Sequence, residues 1–182
     1  RHKHPYPMYS LQKVFIGEDK EPDWDSKQPH IMTAKLDGAA VSITYIDGVL
    51  IQALTRGDGK AGLDITDKIK TLVPNKIWSK GLKQITGEVV APKKIPNARN
   101  YASGALNLKD LEEFKSRDLT FIAYGIQPAI CPEWTADMSM VKDMGFNTVT
   151  LSDWTEFPQD GKVVRVDSNR YFETLGHTSH HP

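Results

Sequence analysis

Cysteine is nearly absent from these 182 residues. Cys131 stands alone, which excludes an intrachain disulfide and suits a reducing compartment. No stretch approaches the roughly 18 consecutive apolar residues that a membrane span requires. The polar opening Arg1-His2-Lys3-His4 lacks the pattern of a secretory signal, so the chain reads as cytoplasmic, with no membrane partner. Excess charge is missing too, because 23 Lys and Arg balance 23 Asp and Glu. A domain that carries all the affinity for a nucleic acid is normally clearly basic. Any such grip here is therefore local, or comes from another domain or chain. Internal repeats and low-complexity segments are also lacking. What remains is one sizeable globular domain, or one with a small appendage.

The strongest local signal is a hairpin. Residues 39–46 are β-rich, Asp47-Gly48 supplies a tight turn, and residues 49–55 return. Further β-like runs cover 84–90, 119–126 and 162–166. Helices are predicted over 64–73, over 107–116, and ending over 139–144 with Gly145 as the stop. Residues 17–30 and 127–138 read as surface loops. Strands and helices mix without regular alternation, which predicts an α+β fold with antiparallel sheets flanked by helices.

Lys35-Leu36-Asp37-Gly38 lies between the apolar run 31–34 and the hairpin. A lysine attacks phosphorus only as the free amine, which burial or neighbouring cations favour. Alone, these four residues fit a solvated strand end equally well. A second motif follows, Thr55-Arg56-Gly57-Asp58-Gly59-Lys60-Ala61-Gly62-Leu63-Asp64-Ile65-Thr66. Its glycines let backbone approach a ligand closely, and Arg56 offers a planar fork for phosphate or carboxylate. In Gly87-Glu88-Val89, the carboxylate can bind a ribose hydroxyl or a metal, or can simply face water.

Taken in order, these motifs resemble the adenylation domain of bacterial-type NAD-dependent DNA ligases. Lys35-Leu36-Asp37-Gly38 is similar to the family's nucleophile motif, and residues 55–66 to its long Thr-Arg-Gly-Asp-Gly signature. Pro7-Met8-Tyr9-Ser10-Leu11 resembles the segment that touches the adenine, and Glu88 the ribose-binding glutamate. Residues 97–104 resemble an Asn-Pro-Arg-Asn-x-x-x-Gly loop that includes Arg99. Tyr124, within Phe121-Ile122-Ala123-Tyr124-Gly125, matches the aromatic that stacks on adenine. Residues 160–165 resemble Asp-Gly-Val-Val-[Ile/Val]-Lys, and residues 175–179 the segment after it.

The resemblance implies a nucleotidyltransferase (ATP-grasp-like) fold over residues 1–182 and a DNA ligase reaction. Lys35 takes AMP from NAD, passes it to the 5′-phosphate of nicked double-stranded DNA, and the 3′-hydroxyl seals the strand. It gives catalytic roles to Lys35 and Asp37. Nucleotide contacts fall to Ser10, Leu11, Arg56, Glu88, Tyr124 and Arg165, Mg²⁺ to Glu88 and Asp160, and DNA to Arg99. Three positions depart from the pattern: Thr33 where Glu is usual, Arg165 for Lys, and Asn107 for Arg. The short stretch between Gly145 and Asp160 points to a compact, virus-like version. The first residue is not Met, and a nicotinamide-binding domain, a last lysine motif and an OB-fold are expected in missing domains or a second chain.

Two rival readings stay open. An ATP-dependent ligase or capping-type nucleotidyltransferase shares the lysine motif, although residues 55–66 argue against it. A non-catalytic subunit of a split ligase, with a decayed site, would account for Thr33, Arg165 and the missing last lysine motif. The histidines at 177, 180 and 181, grouped in an expected loop, and those at 2 and 4 read as ordinary surface residues. The four tryptophans read as core or edge residues.

Overall fold

A computed structural model of the chain describes residues 1–8, 13–14 and 27–179. In chain order its elements begin with β1 (His2–Lys3), β2 (Lys13–Val14), β3 (His30–Leu36), β4 (Ala39–Ile46), β5 (Val49–Thr55) and β6 (Ala61–Gly62). Next come α1 (Thr66–Ile69), β7 (Leu82–Val90), α2 (Ala98–Ala105), α3 (Leu111–Lys115) and β8 (Thr120–Gln127). The chain then forms α4 (Trp134–Asp143), β9 (Asn147–Thr148), β10 (Gln159–Val166) and α5 (Asn169–Ser179).

Asp47 and Gly48 both take positive φ, 47° and 82°. Two such residues in sequence are what a type I′ hairpin turn needs, so β4 and β5 pair as read from sequence. They belong to a five-stranded sheet of order β5-β4-β7-β8-β9, antiparallel except for the parallel β8–β9 pair. A three-stranded antiparallel sheet has order β2-β10-β3, and β1 pairs with β6. The α+β reading with antiparallel sheets therefore holds.

β4 is buried on both faces. Val41, Ile43 and Tyr45 point into the main core with Ile85 of β7 and Ile122 of β8. Phe146 meets the rings of Tyr45 and Phe121 edge-on, with centroids 6.2 and 6.0 Å away. Ala34 and Leu36 of β3 join this same core, so the two larger sheets share it. The opposite face of β4 and β7 is polar yet buried, with Ser42, Thr44 and Gln84 out of solvent. Residues 1–8 lie over it: Tyr6 and Gln84 exchange two hydrogen bonds of 2.9 Å through the Tyr6 backbone.

The helices depart more from expectation. The helix read over 64–73 reduces to α1, because Asp64 accepts from both the Thr66 amide and hydroxyl and Pro74 follows closely. The one read over 107–116 reduces to α3, since Asp110 caps it by accepting from the Glu112 amide. Residues 98–105, read as a loop, form α2. Its buried face is only Ala98, Ala102 and Ala105, too small for a helical hydrophobic stripe to stand out. α4 begins at Trp134, inside the stretch read as the loop 127–138. His177 lies on α5 rather than in a loop, while His180 and His181 fall outside the described residues, as does most of the 17–30 loop. Trp134 is buried and Trp78 exposed; Trp24 lies outside the described residues. Among the described residues no helix is long and apolar enough to cross a membrane.

Candidate active site

Ala34 and Leu36 turn into the core, so the alternation of β3 sends Lys35 to the opposite face. Its neighbour β10 pairs antiparallel, with a bulge between Gln159 and Lys162. A bulge re-aims side chains, and here Asp160 meets the lysine. Lys35 Nζ lies 3.1 Å from Asp160 Oδ1 and 3.4 Å from Oδ2. The side chains are 20% and 46% exposed. Such a partly solvated pair contributes at most about 1 kcal/mol to stability, so its effect is to orient the amine.

The chain then turns sharply into β4. Asp37 donates its amide to the Pro158 carbonyl, and its carboxylate lies 3.5 Å from Arg99 Nε on the first turn of α2. Gly38 packs so closely on β7 that a Cβ there would collide with the Val89 carbonyl oxygen. Its amide donates to Glu88 Oε2 over 3.2 Å, and the Tyr124 hydroxyl donates to Glu88 Oε1 over 3.3 Å. Glu88 is 9% exposed. Burial pushes its carboxyl up to about 7, against the opposing pull of the Gly38 amide, the Tyr124 hydroxyl and the charge on Lys35. Burial, and then Glu88, hold the Tyr124 hydroxyl well above its ordinary value, while the charge of Arg56 acts the other way. Arg56 thus belongs to the same electrostatic cluster.

The loop that presents Arg56 is bonded largely to itself. Asp58 Oδ1 accepts from the Lys60 and Ala61 amides, both at 2.9 Å, and these bonds hold its carboxyl below the usual range. Gly57 has φ +58°, and a Cβ there would strike the Ala61 carbonyl oxygen. Thr55 Oγ1 accepts from the Leu63 amide over 3.0 Å. Most of the long 55–66 motif therefore shapes the backbone around Arg56, which is itself half-buried.

Lys35, Asp37, Glu88, Tyr124 and Asp160 come together in this way, with the charge of Arg56 acting on Tyr124 and Arg99 reaching Asp37. Arg165 is engaged further along β10. Its guanidinium stacks 3.8 Å from the Phe172 ring centroid and 5.2 Å from that of Trp134. It donates to the Val166 carbonyl and to Asn169 Oδ1, and burial lowers its pKa to about 10. Through the Trp134 indole, which donates to the Tyr124 carbonyl over 3.0 Å, it abuts the strand that carries Tyr124. Ser10 and Leu11 lie outside the described residues. Among the described residues no group of three or more His, Cys, Asp or Glu is arranged to hold a metal. Two cavities, of about 290 and 590 Å³, lie beside Asp64–Lys68 and between Trp78 and Met144; neither includes Lys35 or Glu88.

His4 is the residue that sequence reasoning misjudged. It is 2% exposed, with Nδ1 2.6 Å from Ser42 Oγ and Nε2 3.0 Å from the Arg56 carbonyl oxygen. Those partners are 38 and 52 residues away in sequence, a separation that no local spacing rule detects.

A family model described as the NAD-dependent DNA ligase adenylation domain matches residues 1–95. The DNA ligase of Aquifex aeolicus is 29% identical over 237 residues, covering 99% of this chain and 33% of that protein. The DNA ligase of Leuconostoc mesenteroides is 35% identical over 152 residues, covering 69% of this chain and 22% of its own length. That of Campylobacter concisus is 32% identical over 218 residues, covering 96% and 34%. The chain spans about a third or less of the length of these curated relatives. The longest of these alignments exceeds the chain's own 182 residues, so that relative carries insertions absent here.

Proposed function

The chain belongs to the family of NAD-dependent DNA ligase adenylation domains, and we propose that Lys35 is the nucleophile that accepts AMP from NAD on a nucleotidyltransferase fold. The observation that carries the reading is the Lys35–Asp37–Gly38 corner. It sets a lysine on one strand and, through the Gly38 amide, docks directly on the buried carboxylate of Glu88. A nucleophile and a hydroxyl acceptor stand on either side of one turn, with an aromatic hydroxyl and an arginine beyond.

In this reading Glu88 accepts a ribose hydroxyl, Tyr124 offers its ring to the adenine, and Arg56 neutralises charge on the donor. Ser10, Leu11 and Arg165 complete the nucleotide's surroundings. Asp160 holds the Lys35 amine in line, and Asp37 orients the corner while pairing with Arg99, whose side chain is 67% exposed and free to turn toward DNA phosphates. Lys35 Nζ, once deprotonated, attacks the α-phosphorus of NAD. An N–P bond forms, the P–O bond to nicotinamide mononucleotide breaks, and that nucleotide leaves. AMP then passes to the 5′-phosphate of nicked duplex DNA, and the 3′-hydroxyl displaces it. Positioning and charge neutralisation supply most of the acceleration in such phosphoryl transfers.

Mg²⁺ fits Asp160 better than Glu88. The Asp160 carboxylate is half exposed, whereas both Glu88 oxygens already accept protein hydrogen bonds. A single carboxylate is ordinary for Mg²⁺, which completes its shell with water and phosphate oxygens. When bound, the ion would offset negative charge on the transferring phosphate.

The test is to incubate the full-length protein with NAD or ATP labelled in the adenylate and follow covalent label on the denatured chain. Label from NAD that is lost in Lys35→Ala supports the reading. Label from ATP instead would assign the donor differently, and a labelled Lys35→Ala would exclude the nucleophile.

A further inference from the structure

His4 is unused by the reaction as written, yet it is among the most fully enclosed polar side chains described. Its partners select its tautomer. The Arg56 carbonyl oxygen can only accept, so Nε2 carries the hydrogen. In the neutral ring, Nδ1 is then the acceptor and the buried Ser42 hydroxyl the donor. Ser42 lies in the middle of β4, fixed on both sides by β5 and β7. The ring is thus a rigid spacer between the central strand of the main sheet and the backbone of the residue whose guanidinium charge acts on Tyr124.

The neighbouring backbone contacts point the same way. The His4 amide donates to the Lys60 carbonyl at 2.9 Å, and the Met8 amide to the Gly59 carbonyl at 2.7 Å. His2 and Lys3 pair with Gly62 and Ala61. The loop that carries Arg56 is therefore bracketed at 59–62 by backbone and at its root by the imidazole. Asp58 and the Gly59-to-Arg56 turn bond shape the loop from within, and these outside contacts fix it against the sheet.

We infer that His4 is a positioning residue: as the Nε2–H tautomer it fixes the Arg56 backbone against Ser42, and so sets where the arginine meets the nucleotide donor. The inference rests on the proposed adenylylation chemistry for its kinetic consequence, but not for its structural one.

The test uses the full-length protein with His4→Leu and His4→Gln. The glutamine amide supplies one donor and one acceptor, whereas leucine supplies neither. Single-turnover labelling with NAD across concentrations should show the half-saturating concentration raised about tenfold in His4→Leu, the order expected for losing one buried hydrogen bond. His4→Gln should return to within about threefold of wild type. Nitrogen NMR of the labelled imidazole should show the proton on Nε2, and hydrogen exchange at residues 56–62 should accelerate in His4→Leu but not in His4→Gln. Unchanged half-saturation in a folded His4→Leu overturns the inference, as does the Nδ1–H tautomer. So does a loss in both variants that merely tracks their thermal stability. If the wild-type protein takes no label, the donor reading fails; the tautomer and exchange results then still decide whether His4 fixes the loop.

Discussion

Replacing Glu88 with glutamine separates the cost of burying a charge from its use. Burial pushes the carboxyl up to about 7 in the folded chain, against an ordinary value of 4.5. Between those values the folded state holds a proton that the unfolded chain has released, so stability falls as pH rises through this window. Below pH 4.5 the contribution is fully present; above about 7 it has gone. At about 1.4 kcal/mol per unit, the total is on the order of 3 kcal/mol. For a chain of this size that corresponds to roughly 6 to 12 °C in Tm. Glu88→Gln removes the dependence, so its stability relative to wild type should climb by up to about 3 kcal/mol between pH 4.5 and 8. Urea unfolding of both proteins at half-unit pH steps measures the difference. Labelling from NAD should move oppositely. The carboxylate is the form that accepts a ribose hydroxyl, so wild-type adenylylation should rise through pH 7 while stability declines, and the variant should lack that rise. Parallel stability curves from pH 5 to 8 would refute the assignment of a buried, reluctantly charged carboxylate.

Asp160→Asn should leave stability within about 1 kcal/mol, because the pair is partly solvated, while slowing single-turnover labelling at least tenfold by releasing the Lys35 amine; equal rates would exclude an orienting role. Gly38→Ala drives a methyl group into the Val89 carbonyl and should cost more than about 2 kcal/mol, read by urea unfolding. Arg165→Lys gives up the planar stack between Phe172 and Trp134 and should cost about 1 kcal/mol. Its mark should be faster proteolysis within α5, and an unchanged digestion pattern would count against the stack as the anchor of that helix.

The hairpin is legible because a two-residue turn with demanding φ angles leaves a two-letter mark, and β-branched alternation brackets it. The motifs around Lys35 and residues 55–66 are legible for their order, although Thr55, Asp58 and Asp64 of the latter spend their polar atoms on local backbone amides. α2 leaves no periodic mark, since three alanines bury its face. Asp64 and Asp110 hide the true lengths of α1 and α3, because side chains that bond nearby amides end one conformation and begin another. The Lys35–Asp160 pair and both His4 contacts join residues far apart in sequence, and they exist only once strands have registered. Arg165 illustrates a third case: motif position suggests a nucleotide contact but carries no sign of the Phe172 and Trp134 rings that its guanidinium packs against.

The corner at Asp37-Gly38 has a mechanical meaning beyond its chemistry. Lys35 and Asp160 ride together on the smaller sheet, whereas Glu88 and Tyr124 ride on the larger one, and the Gly38-to-Glu88 hydrogen bond is a stitch between the two. A strain that unpicked it would carry the amine and its counter-ion away as a unit, leaving each sheet's own pairing intact. The corner thus couples the nucleophile's strand to the carboxylate's, within a core that both sheets share.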